Sequence, residues 1–253
     1  MASLAGWVRS LTFALLFYGL TVLISVLGSP LLPWYRGAAL VLRLWGSAIL
    51  AATRHVAGIA IELRGLDRLP HGPCLIAAKH QSALDTIVLC HAMPGIAMVM
   101  KRELMLIPFY GWYAARLGMP SVDRAGGGAA LRRLLRDAKA AAGAGRSVLI
   151  FPQGTRTAPG LPLAQAPYQA GVAALYATLG LPVVPVALNS GCFWPRRRWR
   201  RWPGRAVFAY LPAIPPGLAR AEFVVRLQDA IEPATAALER EAGRQTRRGA
   251  GNA

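Results

Sequence analysis

Two kinds of apolar pattern divide the chain. From Leu11 to Leu32 almost every position is apolar, and no charged residue stands between Arg9 and Arg36. Such a run is long enough to cross a bilayer core of about 30 Å. The following segment, Gly37 to Ala60, stays apolar but is studded with arginines. At about 100° per residue Arg36, Arg43 and Arg54 fall within roughly 20° of one another on a helix, beside Ser47. A narrow basic stripe on an apolar helix is the pattern of an element lying in a membrane interface, its guanidiniums among lipid phosphates. Residues 1–58 therefore read as a hydrophobic helical hairpin for membrane attachment.

Beyond Ile59 short apolar runs alternate with helical spacing. Ile59 to Leu63, Cys74 to Ala78, Ile96 to Met100, Ser147 to Phe151, Val183 to Leu188 and Ala206 to Leu211 read as strands. Leu84 to Ala92, Phe109 to Leu117, Ala129 to Ala142 and Tyr168 to Leu179 read as helices between them. This alternation predicts an α/β domain over 59–245, with a mainly parallel central sheet flanked by helices. Val224, Leu227, Ile231, Ala234 and Leu238 keep helical spacing, and Pro233 predicts a kink or restart there. Residues 246–253, beginning with Arg247 and Arg248, read as a disordered tail.

Composition sharpens the membrane reading. Of 253 residues 55% are hydrophobic and only 16% charged, yet 29 basic against 11 acidic residues leave a net charge of +18. Anionic partners are expected, and the apolar excess favours lipid head groups over nucleic acid. Arg36, Arg43 and Arg54 outweigh Arg9 across the first apolar run, which, if that run spans, places the rest of the chain in the cytoplasm. The run Phe193 to Pro203 combines arginine with Trp194, Trp199 and Trp202, the composition of a head-group contact, although a nucleic-acid patch shares it. Cys74, Cys90 and Cys192 show no CxxC spacing, so neither a disulfide framework nor a zinc site is expected, and a reducing compartment fits.

Candidate chemistry collects at predicted strand ends. After the Cys74 strand comes Lys79-His80-Gln81-Ser82-Ala83-Leu84-Asp85-Thr86. Five residues on a continuous helix would set His80 and Asp85 roughly 140° apart, so contact requires His80 in the turn and Asp85 in the first helical turn. The carboxylate then fixes one ring nitrogen and leaves the other to take a proton. Lys101 to Gly111 follows the next strand, with Val122-Asp123-Arg124 after it; Phe151-Pro152-Gln153-Gly154-Thr155-Arg156 ends another; Val184 to Gly191 ends in a polar turn that by itself reads as structural. Gly154 permits close backbone approach, and Arg156 offers a fork to a phosphate.

Taken in order, HxxxxD, Lys101 with IPFYG, FPQGTR and VPVALNS resemble the glycerolipid acyltransferase family, in particular the bacterial 1-acyl-sn-glycerol-3-phosphate acyltransferases, over roughly residues 60 to 215. The resemblance implies transfer of a fatty acyl group from acyl-CoA or acyl carrier protein to the sn-2 hydroxyl of lysophosphatidic acid, giving phosphatidic acid. It implies His80 as general base, Asp85 as its orienting partner, direct transfer without an acyl-enzyme, and no metal or bound cofactor. Arg156, Lys101 and Arg124 would hold the acceptor phosphate, with amides around Gly154 and Thr155 binding that phosphate or the carbonyl oxyanion. Two positions depart from the usual pattern: Lys79 stands where Asn precedes the histidine, and Gln153 where Glu is common. Another lysolipid, such as a lyso-ornithine lipid, or glycerol 3-phosphate is the alternative acceptor, and a basic membrane-binding module the alternative without catalysis. A metal hydrolase lacks ligands, since His55, His71 and His91 are scattered.

Overall fold

The described residues of the computed structural model are 4–123 and 126–251, with side chains as far as Arg244. The first apolar run forms α1 (Leu4–Leu27) and the arginine-studded segment α2 (Tyr35–His55), joined through a short 3-10 turn at Ser29–Leu31. By length and composition α1 can cross a membrane. Only a stripe including Gly6, Ser10, Phe13 and Ala14 is buried, while Leu11, Leu15, Val22 and Leu23 are exposed. Helix α2 buries Ala38, Val41, Ile49 and Ala52, and leaves Arg36, Arg43, Ser47 and Arg54 outside on one side.

The strands are β1 (Ile59–Arg64), β2 (Leu75–Ala78), β3 (Ala97–Met98), β4 (Met100–Lys101), β5 (Ser121–Val122), β6 (Val148–Ile150), β7 (Val183–Leu188) and β8 (Gly204–Tyr210). Between or after them lie α3 (Ala83–Ala92), α4 (Tyr110–Arg116), α5 (Gly127–Gly143), α6 (Ala170–Leu179) and α7 (Arg220–Gly251). Six strands form one sheet in the order β1-β8-β7-β2-β6-β3, parallel except where β7 meets β8. Strand alternation divides the core. Ile76, Ala78, Leu149, Val184 and Val186 pack toward α3 and the N-terminal hairpin, with Leu84, Val88, Ile49 and Phe13. Leu75, Ala77, Val148, Ile150 and Val183 face α5, α6 and α7, with Leu134, Leu175, Phe223 and Leu227.

Two elements differ from the sequence reading. The strand expected over Ile96 to Met100 breaks at Val99: β3 pairs with β6, while β4 leaves to pair with β5. Its neighbour β6 offers nothing further to pair with, because Phe151 already enters a turn closed by Gly154 N donating to the Phe151 carbonyl at 2.8 Å. Of the kink or restart expected at Pro233, the restart does not occur: α7 is one helix from Arg220 to Gly251. Losing that N–H strips a donor from the Asp229 carbonyl, and both residues are exposed, so water replaces the bond. The tail expected over 246–253 falls at the end of α7, where side chains from 245 and all of 252–253 lie outside the described residues.

Candidate active site

Strands β7, β2 and β6 are adjacent and parallel, so the turns after Leu188, Ala78 and Ile150 emerge at one sheet edge. In doubly wound sheets this carboxyl edge is where ligands bind. Ser82 caps α3: its side chain accepts from Leu84 N, while the Asp85 carboxylate reaches back to the cap's own amide. Capping thereby carries Asp85, fully buried, back toward the turn.

Asp85 Oδ2 accepts from His80 Nδ1 at 2.9 Å, Gln81 N at 2.7 Å and Ser82 N at 2.8 Å. Its other oxygen accepts from the Ser190 hydroxyl. Surrounded by donors, Asp85 is an acceptor on both oxygens, which assigns the proton to Nδ1 and leaves the Nε2 lone pair for chemistry. The imidazole stacks on Phe151 with centroids 4.0 Å apart and an interplanar angle of 21°. Behind it the His80 carbonyl accepts from Thr157 N at 2.8 Å and Thr157 Oγ1 at 3.2 Å. Ring, backbone and partner are all fixed.

His80 opens into a cleft of roughly 580 Å³. Its deeper wall is apolar, built from Met98, Met100, Leu131, Leu134, Ile150 and Val172; its polar lining includes Lys101, Thr155, Arg156 and Arg196. Arg156 is half-buried there. Lys101 stands at the exposed rim, 2.8 Å from Glu103. The expected site thus comes together for His80, Asp85, Arg156, Thr155 and Lys101, whereas Arg124 lies outside the described residues.

One expectation is sharpened and one needs correction. Gly154 lines the cleft, while its amide donates to the Phe151 carbonyl and closes the turn, which its positive φ of 65° lets form. Trp194 is no membrane contact. It is 5% exposed and sits edge-on to Phe13 and Phe17 of α1, at 4.9 and 5.6 Å, with the Arg201 guanidinium 4.8 Å from its ring centre. The tryptophan therefore ties α1 to the catalytic domain, while Trp199 is 67% exposed and Trp202 half-buried.

The sequence reading missed Ser190, whose hydroxyl completes the bonds to Asp85, and the bridging part of Arg196. Arg196 Nη1 donates to Thr155 Oγ1 at 3.2 Å and to the Arg156 carbonyl at 3.1 Å. The polar end of VPVALNS was the available signal for the first. Nothing local marks which arginine of the Phe193 to Pro203 run turns inward.

Nucleophilic alternatives fail on geometry. Ser190 donates to Asp85 rather than to the histidine, Ser82 is occupied as a cap, and burial pushes the Cys90 and Cys192 thiols up to about 12. Among the described residues no three His, Cys, Asp or Glu side chains group as a metal centre. What remains is a histidine paired to a carboxylate, beside an apolar cavity whose polar lining carries Lys101, Arg156 and Arg196.

Comparison with known proteins meets this geometry from outside. A family model described as acyltransferase matches residues 60–189. A 1-acyl-sn-glycerol-3-phosphate acyltransferase of Pseudomonas aeruginosa is 37% identical over 74% of this chain and 71% of its own length. The sheep 1-acyl-sn-glycerol-3-phosphate acyltransferase alpha is 27% identical over 76% of this chain and 67% of its own. Among solved structures the 1-acyl-sn-glycerophosphate (LPA) acyltransferase PlsC of Thermotoga maritima superposes with a TM-score of 0.70 at 21% identity, covering 92% of this chain and 97% of that one, which establishes a shared fold. The HxxxxD turn, the carboxyl-edge cleft and the matched span agree: the chain belongs to the acyltransferase family.

Proposed function

We propose that this chain is a 1-acyl-sn-glycerol-3-phosphate acyltransferase, moving a fatty acyl group from acyl-CoA or acyl carrier protein to the sn-2 hydroxyl of lysophosphatidic acid. The observation that carries the reading is the placement of His80, paired to Asp85, where an apolar cavity meets Arg156 and Lys101. Nε2 takes the hydroxyl proton as the oxygen attacks the thioester carbonyl. The tetrahedral adduct collapses, expelling the thiolate, which recovers the proton from the imidazolium. Asp85 stabilises the charged ring throughout. Arg156, with Lys101 at the rim and Thr155 beside it, holds the acceptor phosphate, a role assigned to Arg124 as well. The acyl chain occupies the wall formed by Met98, Met100, Leu131 and Ile150. No cofactor takes part, the thioester being a substrate.

The acceptor arrives from a bilayer at the inner membrane, with the catalytic domain on its cytoplasmic side. Helix α1 enters the membrane, and the exposed Arg36, Arg43 and Arg54 of α2, with Trp199 and the outer edge of Trp202, meet the head groups. The names and spans of the relatives above support this acceptor.

Membranes carrying the full chain, supplied with acyl-CoA or acyl carrier protein and with lysophosphatidic acid, other lysophospholipids, a lyso-ornithine lipid or glycerol 3-phosphate, test the reading. Phosphatidic acid is the expected main product. Preferred acylation of a different acceptor overturns the proposal. In the same assay Arg156→Ala is expected to raise the KM for lysophosphatidic acid by roughly tenfold or more, the loss of one charge-assisted phosphate contact, and to leave the KM for the donor nearly unchanged.

A further inference from the structure

Helix α7 meets the catalytic turn at both residues that flank His80. On one side the buried Lys79 sets Nζ 2.9 and 2.6 Å from the two oxygens of Glu232, and the Tyr168 hydroxyl donates to the same carboxylate at 2.8 Å. On the other side Gln81 Nε2 donates to Glu239 Oε1 at 2.6 Å. Gly160 N donates to the second Glu239 oxygen at 2.9 Å, and Gln81 Oε1 accepts from Gly191 N at 3.2 Å. Two glutamates seven positions apart lie about two helical turns apart on one face, so a single helix surface grips both neighbours of the histidine.

Neither glutamate lines the cleft; they border a separate groove behind the turn. Their bonds are costly ones to maintain unless complete. A buried ammonium without its counter-charge is strongly disfavoured, so the place of Lys79 depends on Glu232. Burial raises the Glu239 carboxyl above the usual range against the opposing pull of its bonds to Gln81 and Gly160. His80 thus stands between two residues that α7 holds.

We propose that Glu232 and Glu239 are positioning residues of the transfer reaction, setting from behind the reach of the His80 ring toward the acceptor hydroxyl. The HxxxxD segment supplies the base and its partner; α7 supplies the distance. A displacement of about 1 Å in such a base costs roughly 10²-fold in rate, which is the leverage available to the two glutamates.

The inference rests on the acyl-transfer reading, and a coupled pair of substitutions separates the two. With full-length chain in membranes, lysophosphatidic acid and acyl-CoA, Glu232→Gln is expected to lower kcat by about 10- to 100-fold, while the KM for lysophosphatidic acid stays within about twofold. Lys79→Met removes the other end of the same pair. The double variant is expected to be no slower than the worse single variant, because both act through one contact. Folded Glu232→Gln with wild-type kcat, or a double variant showing the product of the two single losses, overturns the inference. Should Glu232→Gln fail to fold, Glu239→Ala at a half-buried position and Gln81→Ala at its buried partner form the same test, with the same two outcomes. Wild-type chain that acylates no acceptor sinks the catalytic reading itself, and the inference that rests on it falls with it.

Discussion

Replacing His80 with alanine is expected to lower kcat by about 10²- to 10⁴-fold, the usual worth of a placed general base, in a protein that still folds. The acceptor hydroxyl is a weak nucleophile, and the other candidate nucleophiles near the turn are committed elsewhere: Ser190 to Asp85, Ser82 to the helix cap. The imidazole is 14% exposed, and the face it presents to Phe151 is apolar, so alanine opens space that joins the cleft rather than a sealed void. Steady-state rates beside thermal denaturation read both halves of the statement. Activity within tenfold of wild type, in folded protein, would remove His80 from the mechanism.

Asp85→Asn is expected to cost about 10³- to 10⁴-fold in kcat, on the scale of losing an orienting carboxylate behind a catalytic histidine, with the turn intact. An asparagine can keep its oxygen on the donors from His80, Gln81 and Ser82 and turn its amide nitrogen toward Ser190, whose hydroxyl rotates to accept. The lost quantity is charge, and the imidazolium formed during transfer is what needs it. Asp85→Ala behaves differently. It strands buried backbone donors, each costing about 1–3 kcal/mol, so loss of stability accompanies loss of rate. Comparing melting temperatures of the two variants separates orientation from folding; equal rates for Asp85→Asn and wild type would refute the role.

How much of this was legible follows from how local each cause is. The His80–Asp85 contact could be read because capping geometry and a five-residue spacing lie within one turn. Strands β2, β6 and β7 were visible because burial on both faces makes them continuous apolar runs. The split at Val99 was not, since it depends on what β6 has left to pair with. Trp194 reads identically in the sequence whether its indole meets lipid or Phe13, and only the approach of α1 decides. Nothing local marks Glu232 and Glu239, because their partners in the turn, Lys79 and Gln81, lie more than 150 positions away.

Those separations carry a consequence for how the protein comes into being. Asp85 is bonded across 105 positions to Ser190, and Lys79 across 153 to Glu232. Closing loops of that size is entropically costly and late relative to local helix formation. A nascent chain that has emerged as far as the HxxxxD turn holds every reactive atom yet lacks the geometry to use them. Competence arrives when α7 docks, so a chain truncated before Glu232 would be chemically equipped and catalytically silent.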